Sequence, residues 1–364
     1  MKKITFTVAN DISYDQRMHR ICGSLAAAGY HVTLIGRGKR NSIPLIKRNF
    51  EQKRILTLFS YGKLFYIEYN IRLFFYLLFK KADCYCAIDL DTTLPNYFVS
   101  KIKGVKRVYD AHEYFTQLKE VISRPLIYKM WRWIEKRMIP RFKNGYTVCQ
   151  SLADEFKKNY AVDYEVIRNV PVLLEMSGSE KKSNILLYQG AVNKGRGLEK
   201  LVAAMQHIPA VLWIYGDGNF INGMKEEVDK HKLEDKVIFW GMIDPGELKR
   251  KTEEAYIAIN PFERTGLNQY LSLSNKFFDY IHSALPQVTM NYPEYRKINQ
   301  ELEIAVLIED LETESISSAV NKLLSDKGHY ELLRHNCLQT REKHNWQMEE
   351  KKLIAFYKNI FHAN

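Results

Sequence analysis

Residues 184–205 read NILLYQGAVNKGRGLEKLVAAM, and this stretch decides the fold class of the chain. The run at 185–189 predicts a short buried strand, and residues 198–205 predict a helix. The turn between them is rich in glycine and carries Arg196. A strand that leads through a short turn into a helix begins a βαβ unit, so the segment indicates an α/β fold with a parallel sheet.

The same alternation of short strands and longer helices runs through the chain in two separate sets. The predicted strands are 4–9, 31–35, 84–88, 106–109, 145–149 and 164–167 in the first set, and 184–189, 210–215, 236–240, 256–260, 286–290 and 304–308 in the second. Two doubly wound parallel sheets follow, with an inter-domain cleft expected at the carboxyl ends of their strands. We predict an N-terminal Rossmann-like domain at 1–170, a second at 171–344 and a C-terminal helix at 345–364 that crosses back to the first.

Composition fits a folded two-domain protein. The chain has 364 residues, of which 46% are hydrophobic and 26% charged, which excludes a small disulfide-stapled scaffold and wholesale disorder. Its five cysteines make neither a disulfide framework nor a paired zinc motif, so a reducing cytoplasm is expected. The longest apolar stretch, 64–79, is interrupted by Glu68, Asn70 and Arg72, so no transmembrane helix is predicted. The apolar run after Lys2 and Lys3 is too short for the core of a signal peptide.

Positive charge is concentrated in the first half of the chain. Residues 1–170 hold 30 Lys and Arg against 15 Asp and Glu, whereas residues 171–364 hold 24 against 27. The basic residues cluster at 37–40, 47–48, 53–54, 80–81 and 124–143, often beside aromatic residues. Such a pattern suits an anionic membrane surface, where rings and long cationic side chains both find partners. The alternative interpretation, an ordinary core helix with a solvated basic edge, stays open.

The glycine-rich turn after the strand at 185–189 is a candidate phosphate site. Gly190 and Gly195 have Walker A spacing, but Arg196 and Gly197 stand where that motif needs Lys and Ser or Thr, so the turn is not an NTPase loop. An arginine at a helix N-terminus still suits a diphosphate. The alternative is a plain turn with a solvent-exposed arginine.

A second candidate follows the strand at 106–109, where Asp110, His112 and Glu113 place three ionisable groups at one strand end. His112 either contacts a substrate or only satisfies hydrogen bonds at the end of the strand. Asp89 and Asp91 have Asp-x-Asp spacing, a pattern too short to predict a metal. The stretch 36–38 lacks the third glycine of a dinucleotide site, so an NAD site is not predicted.

Taken together, several segments resemble a known family. They are Asp15-Gln16-Arg17 with 25–32, Tyr109-Asp110-Ala111-His112-Glu113, Asn169-Val170-Pro171, Tyr188-Gln189-Gly190, Arg196-Gly197-Leu198-Glu199, Gly216-Asp217-Gly218 and 274–280. In content and order they resemble the retaining glycosyltransferases of family 4 (group 1), which have the GT-B fold of two facing Rossmann-like domains. The resemblance covers nearly the whole chain.

The resemblance implies which residues carry the function. On the donor side it implies Gly190, Arg196, Gly216, Asn275, Lys276 and Asp279, with Arg196 on the diphosphate and Asp279 on the ribose hydroxyls of a UDP- or GDP-linked sugar. On the acceptor side it implies Asp15, Arg17, Asp110 and Glu113, with His112 near the reacting sugar. His112 and Arg196 are the expected catalytic residues. No metal and no cofactor beyond the donor are expected.

Two positions depart from the family pattern. Leu271 stands where the family often has the first of two glutamates, and Ala191 stands where an arginine is frequent. The expected function is a retaining, metal-independent hexosyltransferase that acts on a glycan or lipid-linked acceptor in surface polysaccharide synthesis. The chain would be cytoplasmic, with a possible peripheral site on the inner face of the cell membrane and no nucleic-acid partner. The alternatives are a nucleotide-sugar epimerase or hydrolase of the same fold, and a non-enzymatic basic binder of membrane or nucleic acid.

Overall fold

The computed structural model describes residues 1–39 and 42–362, and Arg40 of the first basic cluster and the last two residues of the predicted C-terminal helix lie outside them. The chain divides into two compact units. Unit 1 comprises Met1–Asn169 together with Glu349–Asn364, and unit 2 comprises Val170–Met348. The boundary falls between Asn169 and Val170, next to Pro171.

Unit 1 is an α/β unit built on a parallel sheet. Its elements are β1 (Lys3–Thr7), α1 (Gln16–Ala27), β2 (His31–Gly38), β3 (Glu51–Leu56), α2 (Gly62–Phe79), β4 (Cys84–Ile88), α3 (Thr93–Lys103), β5 (Lys106–Ala111), α4 (Lys119–Ile122), α5 (Pro125–Met138), β6 (Asn144–Thr147), α6 (Gln150–Tyr160) and β7 (Glu165–Val166). The strand order among the described residues is β3-β2-β1-β4-β5-β6-β7, and every adjacent pair is parallel.

The strand β3 is a correction to the sequence analysis, which predicted none there. It lies at the sheet edge beside β2, and its residues alternate between exposed and half-buried except Ile55. A polar edge strand buries little apolar surface, so it carries only a weak hydrophobic pattern.

Unit 2 repeats the architecture with its own sheet. Its elements are β8 (Ile185–Gln189), α7 (Leu198–Ala204), β9 (Val211–Tyr215), α8 (Ile221–His231), β10 (Val237–Gly241), α9 (Pro245–Glu254), β11 (Ile257–Asn260), α10 (Leu267–Leu271), α11 (Asn275–His282), β12 (Gln287–Met290), α12 (Pro293–Glu301), β13 (Ala305–Ile308), α13 (Thr313–Ser325) and α14 (Lys327–Lys343). The parallel strands have the order β10-β9-β8-β11-β12-β13, so the chain reverses direction across the sheet between β8 and β11. Ligands of such sheets bind at the carboxyl ends of the strands beside that reversal.

The C-terminal helix α15 (Trp346–His362) belongs to unit 1 from Glu349 onward. Tyr357 is fully buried, with its ring 6.0 Å from that of Phe6 in β1. Phe356 packs edge-on against Tyr146 of β6 at 5.2 Å. Apolar side chains of the tail therefore complete the core of the first sheet.

All five cysteines are described residues, and each is a buried thiol outside any disulfide. Among the described helices, none combines the length and the apolarity that a bilayer crossing needs.

Candidate functional site

Two glycine turns meet at the carboxyl ends of β8 and β9. Gly190 follows β8 with φ +127°, and its N–H donates to the carbonyl oxygen of Tyr215 at 2.9 Å. Gly216 follows β9 with φ +139°, and a Cβ there would lie 1.9 Å from the Gly190 carbonyl oxygen. Only glycine permits this approach, so the two turns form one surface of exposed backbone.

Lys276 lies against this surface, in the first turn of α11. Its side chain is 9% exposed, and its Nζ is 3.8 Å from the centre of the Tyr188 ring. Nζ would also lie 3.4 Å from a Cβ placed on Gly190. The buried ammonium has no hydrogen-bond partner among the described residues. Burial, reinforced by the positive charge of Arg196, holds the pKa of Lys276 well below its usual range.

Arg196 supplies a second cation to the same region. It is half-buried in the turn before α7, with its guanidinium 4.5 Å from the centre of the Phe262 ring. The salt bridges within the described residues do not include Arg196. Two cations, one of them buried without a hydrogen-bond partner in the described part of the chain, make this edge of the sheet suited to an anion, although the charge of Asp279 partly offsets that of Lys276.

Asp279 is positioned by a chain of buried hydrogen bonds from α9 through β8. Thr252 Oγ1 donates to Gln189 Oε1 at 2.8 Å, and Gln189 Nε2 donates to Asp279 Oδ2 at 2.9 Å. Thr252 and Gln189 are 1% and 7% exposed. The amide of Gln189 therefore holds the carboxylate of Asp279 at one of its oxygens, a role for Gln189 that the sequence did not indicate.

The remaining donor-side positions surround the start of α11. Asn275 is its exposed first residue, so its backbone is at the helix end that carries partial positive charge. Leu271 is 8% exposed, so the position of the absent first carboxylate is a buried apolar one here. The structure therefore brings Gly190, Gly216 and Lys276 into direct proximity, with Arg196 in electrostatic reach of Lys276.

In unit 1, His112 lies between two carboxylates at the carboxyl ends of β4 and β5. Its Nε2 is 3.0 Å from Asp110 Oδ2, and its Nδ1 is 4.0 Å from Asp89 Oδ2. Its backbone N–H donates to Asp89 Oδ1 at 2.9 Å. Burial disfavours the imidazolium, but the charge of Asp110, aided by Asp89, outweighs it and raises the pKa of His112 above its usual value.

Beneath His112 lies a buried ion pair. Arg17 Nη2 is 3.0 Å from Asp110 Oδ1, and Arg17 Nη1 donates to the carbonyl oxygen of Ile167 at 3.1 Å. Arg17 and Asp110 are 4% and 0% exposed. Burial favours the neutral acid, but the positive charges and hydrogen bonds of Arg17 and His112 have the larger combined effect and lower the pKa of Asp110. These two residues, expected on the acceptor side, are therefore internal, and His112 lies next to them.

The other acceptor-side residues lie around this pair. Asp15 is half-buried and caps α1, its Oδ1 accepting from the backbone N–H of Met18 at 3.0 Å. Glu113 is exposed next to His112. Asp89, weighed in the sequence only as part of a metal motif, has a left-handed backbone with φ +53°, and such strain concentrates at functional sites. Within the described residues, no group of three or more His, Cys, Asp or Glu side chains converges as metal ligands would.

The fold is that of GT-B proteins, as comparison with solved structures shows. The chain matches sucrose-phosphate synthase from Thermosynechococcus elongatus over 100% of both chains, with a TM-score of 0.82 and 15% identity. It matches WaaG, a glycosyltransferase involved in lipopolysaccharide biosynthesis, over 99% and 100% of the two chains, with a TM-score of 0.73 and 15% identity. HepE of Anabaena, solved in complex with UDP and glucose, matches over 99% and 100%, with a TM-score of 0.72 and 12% identity.

Sequence comparison identifies the family of the second unit. Residues 172–344 match the model of the family "Glycosyl transferases group 1", so the chain carries a group 1 glycosyltransferase domain. A curated relative, alpha-monoglucosyldiacylglycerol synthase of Streptococcus pneumoniae, is 26% identical over 149 residues. That match covers 39% of this chain and 31% of the relative, so it spans about a third of the relative's length.

Proposed function

We propose that this protein is a retaining, metal-independent glycosyltransferase that moves a hexose from a UDP- or GDP-linked donor to a glycan or lipid-linked acceptor. The observation that carries the proposal is Lys276, a buried ammonium without a hydrogen-bond partner in the described part of the chain. Burying such a cation is unfavourable unless a counter-charge joins it. A diphosphate bound at the Gly190 turn supplies that charge.

In this proposal the donor binds to unit 2. Gly190 and Gly216 let the diphosphate approach the backbone, and Arg196, Lys276 and the start of α11 at Asn275 stabilise it. When the bond from the sugar to the diphosphate breaks, negative charge grows on the leaving group, and the same cations stabilise that charge more strongly. Positive side chains thus do what a metal ion does in other phosphate sites.

Asp279 has a different task, which is to accept hydrogen bonds from the two ribose hydroxyls of the nucleotide. An ionised carboxylate has two acceptor oxygens, which suits a vicinal diol. Gln189 and Thr252 keep the carboxylate in place.

The acceptor is assigned to unit 1, with His112 as its catalytic residue. Asp110 and Arg17 are positioning residues that hold the imidazole and favour its protonated form. An imidazolium donates hydrogen bonds from both nitrogens, so it orients and polarises a sugar hydroxyl. Asp15 and Glu113 are proposed to line the acceptor side. No protein nucleophile is required, since positioning and charge stabilisation carry the reaction.

The compared proteins support the finer parts of the proposal. HepE was solved with UDP and glucose, which favours a UDP-linked hexose. The Streptococcus pneumoniae relative is named alpha-monoglucosyldiacylglycerol synthase, which favours an α-linked product, and forming that product from an α-linked donor is retention. WaaG takes part in lipopolysaccharide biosynthesis, which favours a surface glycan or glycolipid product. We also propose that the protein works in the cytoplasm, at the inner face of the cell membrane, with no nucleic-acid partner.

The proposal is tested by thermal shift with UDP-, GDP- and ADP-sugars in the presence of EDTA. A ligand at 100 times its dissociation constant stabilises by about 2.7 kcal/mol. We expect one nucleotide class to raise the melting temperature, and Arg196→Ala and Asp279→Ala to remove that rise while each folds normally. Lys200→Ala, an exposed lysine of α7, is the matched control and should behave as wild type. Normal stabilisation in both site variants would refute the assignment.

A further inference from the structure

Helix α2 is apolar on two opposite sides. One side packs into the core of unit 1 through Phe65, Tyr69, Leu73 and Leu77, which are 0–4% exposed. The other side exposes Leu64, Ile67, Ile71, Phe75 and Phe79, at 56%, 57%, 53%, 55% and 83%. A helix that covers a sheet normally carries polar residues on its outer side. The outer side of α2 therefore carries large apolar side chains where polar ones are usual.

Helices α3 and α5 lie on the same side of the sheet as α2. The crossovers from β3 to β4, β4 to β5 and β5 to β6 all run in one direction across the sheet, and right-handed crossovers in one direction place their helices on one side. Helix α3 packs against both α2 and α5. The rings of Tyr66 in α2 and Trp131 in α5 are 5.6 Å apart.

These two helices also expose apolar side chains. In α3 they are Phe98 and Ile102, at 49% and 64%, one turn apart. In α5 they are Leu126, Met130 and Trp133, at 76%, 41% and 55%, with the spacing of one helix side. Together with the exposed side of α2 they form what we call the three-helix face.

Positive charge accompanies the apolar residues of the three-helix face. The exposed cations of α2, α3 and α5 are Lys63, Arg72, Lys101, Lys129, Lys136 and Arg137. Among the exposed residues of these three helices, all of which the structure describes, none is acidic: Glu68 is half-buried and bound to Arg72 and two backbone N–H groups, and Glu135 is 2% exposed. Arg137 lies 5.1 Å over the Trp133 ring.

We propose that the three-helix face docks on an anionic lipid bilayer, with its apolar side chains inserted at the interface and its cations on the headgroups. Charge complementarity selects this occupant. A second copy of the chain would bring cations of the same sign against these, whereas anionic lipids attract each of them. Aromatic and aliphatic residues flanked by Lys and Arg match the composition of helices that lie in a membrane interface. The inference specifies a surface for the membrane location proposed above.

The first test is co-sedimentation with vesicles of phosphatidylglycerol and phosphatidylcholine, compared with phosphatidylcholine alone. We expect binding to the anionic vesicles that weakens with salt. Lys129→Ser together with Lys136→Ser should weaken it about 25-fold, at about fivefold for each cation near the surface. Phe75→Ser together with Phe79→Ser should also weaken it, whereas Leu332→Ser, a 50% exposed residue of α14 in unit 2, should not.

The second test compares the wild-type protein with two conservative replacements of exposed tryptophans. Trp133 and Trp240 are about equally exposed, at 55% and 50%, but Trp240 lies in unit 2. Brominated acyl chains should quench the fluorescence of bound wild type and of Trp240→Phe to a similar extent, and the quenching should be clearly smaller in Trp133→Phe.

Three results would overturn the proposal. They are absence of binding to anionic vesicles, binding that none of the variants of the three-helix face weakens, and a lipid-free dimer in light scattering that Phe75→Ser with Phe79→Ser dissociates. The last would make the face a contact between copies. These experiments measure lipid binding, whereas the thermal-shift experiment above measures binding of the sugar donor. The membrane proposal can therefore be wrong while the proposed donor site is right, and the donor site can be wrong while the membrane proposal is right.

Discussion

Replacing Lys276 with methionine should make the empty protein more stable and its donor binding much weaker. Methionine keeps most of the apolar stem of lysine but removes the buried ammonium, which has no hydrogen-bond partner among the described residues. An unsatisfied buried polar group costs about 1–3 kcal/mol. Unit 2 has about 180 residues, a size at which each kcal/mol shifts the melting temperature by about 2–4 °C. Lys276→Met should therefore melt about 2–12 °C higher than wild type.

The sign of the pH dependence follows from the lowered pKa of Lys276. The unfolded chain binds this proton more readily than the folded chain, so the lysine makes stability rise with pH between its folded pKa and its usual value of about 10.4. The stability advantage of Lys276→Met should be largest at neutral pH and shrink as pH rises toward 10. Comparing the two proteins at each pH isolates this lysine from the other titrating groups.

The assay is differential scanning calorimetry of both proteins, with and without the nucleoside diphosphate that stabilises wild type. Losing one charge-assisted contact costs about 1.5–3 kcal/mol, so the variant should bind about 10- to 150-fold more weakly. Lys200→Met, which changes an exposed lysine, is the control and should alter neither property. A variant that melts below wild type and still gains full stabilisation from the nucleotide would refute the reasoning.

Two further changes test the two units separately. Gly216→Ala should destabilise unit 2 by more than about 2 kcal/mol in denaturant unfolding, because its Cβ would meet the backbone of the Gly190 turn as well as strain a positive φ, whereas Gly241→Ala, with open space at its Cβ, should cost only about 1–2 kcal/mol. Equal losses would contradict the close approach of the two turns. Asp110→Asn should lower the pKa of His112 in an NMR titration, and an unchanged pKa would contradict the charge assignment.

The raised pKa of His112 also has a consequence for stability. Its contribution should be fully present below the usual histidine value of about 6.5 and be lost as pH rises through the folded pKa. This part of the pH dependence should be absent in Asp110→Asn. That variant should also be less stable overall by about 3–5 kcal/mol, because Arg17 is left buried without its partner.

Much of the fold could be predicted because its inner strands are short, apolar and followed by turns. β8 and β9 are buried over nearly every residue, and such runs are visible in any sequence. β3 was missed because it is a polar edge strand. The sequence could not show which side of α2 is buried, because apolar residues lie on two opposite sides of this helix. Only the structure shows which of them the sheet covers.

The candidate site was predicted as a set of residues, but its contacts were not. Asp89 and His112 are 23 positions apart, and they meet because Ile88 of β4 pairs with Asp110 of β5. The pairing register of two strands depends on the whole sheet, so it cannot be read from the sequence around Asp89 or from the sequence around His112. Likewise, the motif that contains Lys276 indicates a phosphate contact. That the Lys276 ammonium is buried without a hydrogen-bond partner among the described residues depends on how Tyr188 and the Gly190 turn pack around it.

The release of nucleoside diphosphate from the stabilising donor, measured in EDTA with and without a membrane glycolipid extract as acceptor, tests the proposed sugar transfer most directly. We expect release that depends on the extract, a product whose new bond keeps the anomeric configuration of the donor by NMR, and no release by Asp279→Ala. Release at the same rate without any acceptor would make the protein a nucleotide-sugar hydrolase, and conversion of the donor sugar without release would make it an epimerase. No release from any donor, together with no nucleotide binding, would contradict the account altogether.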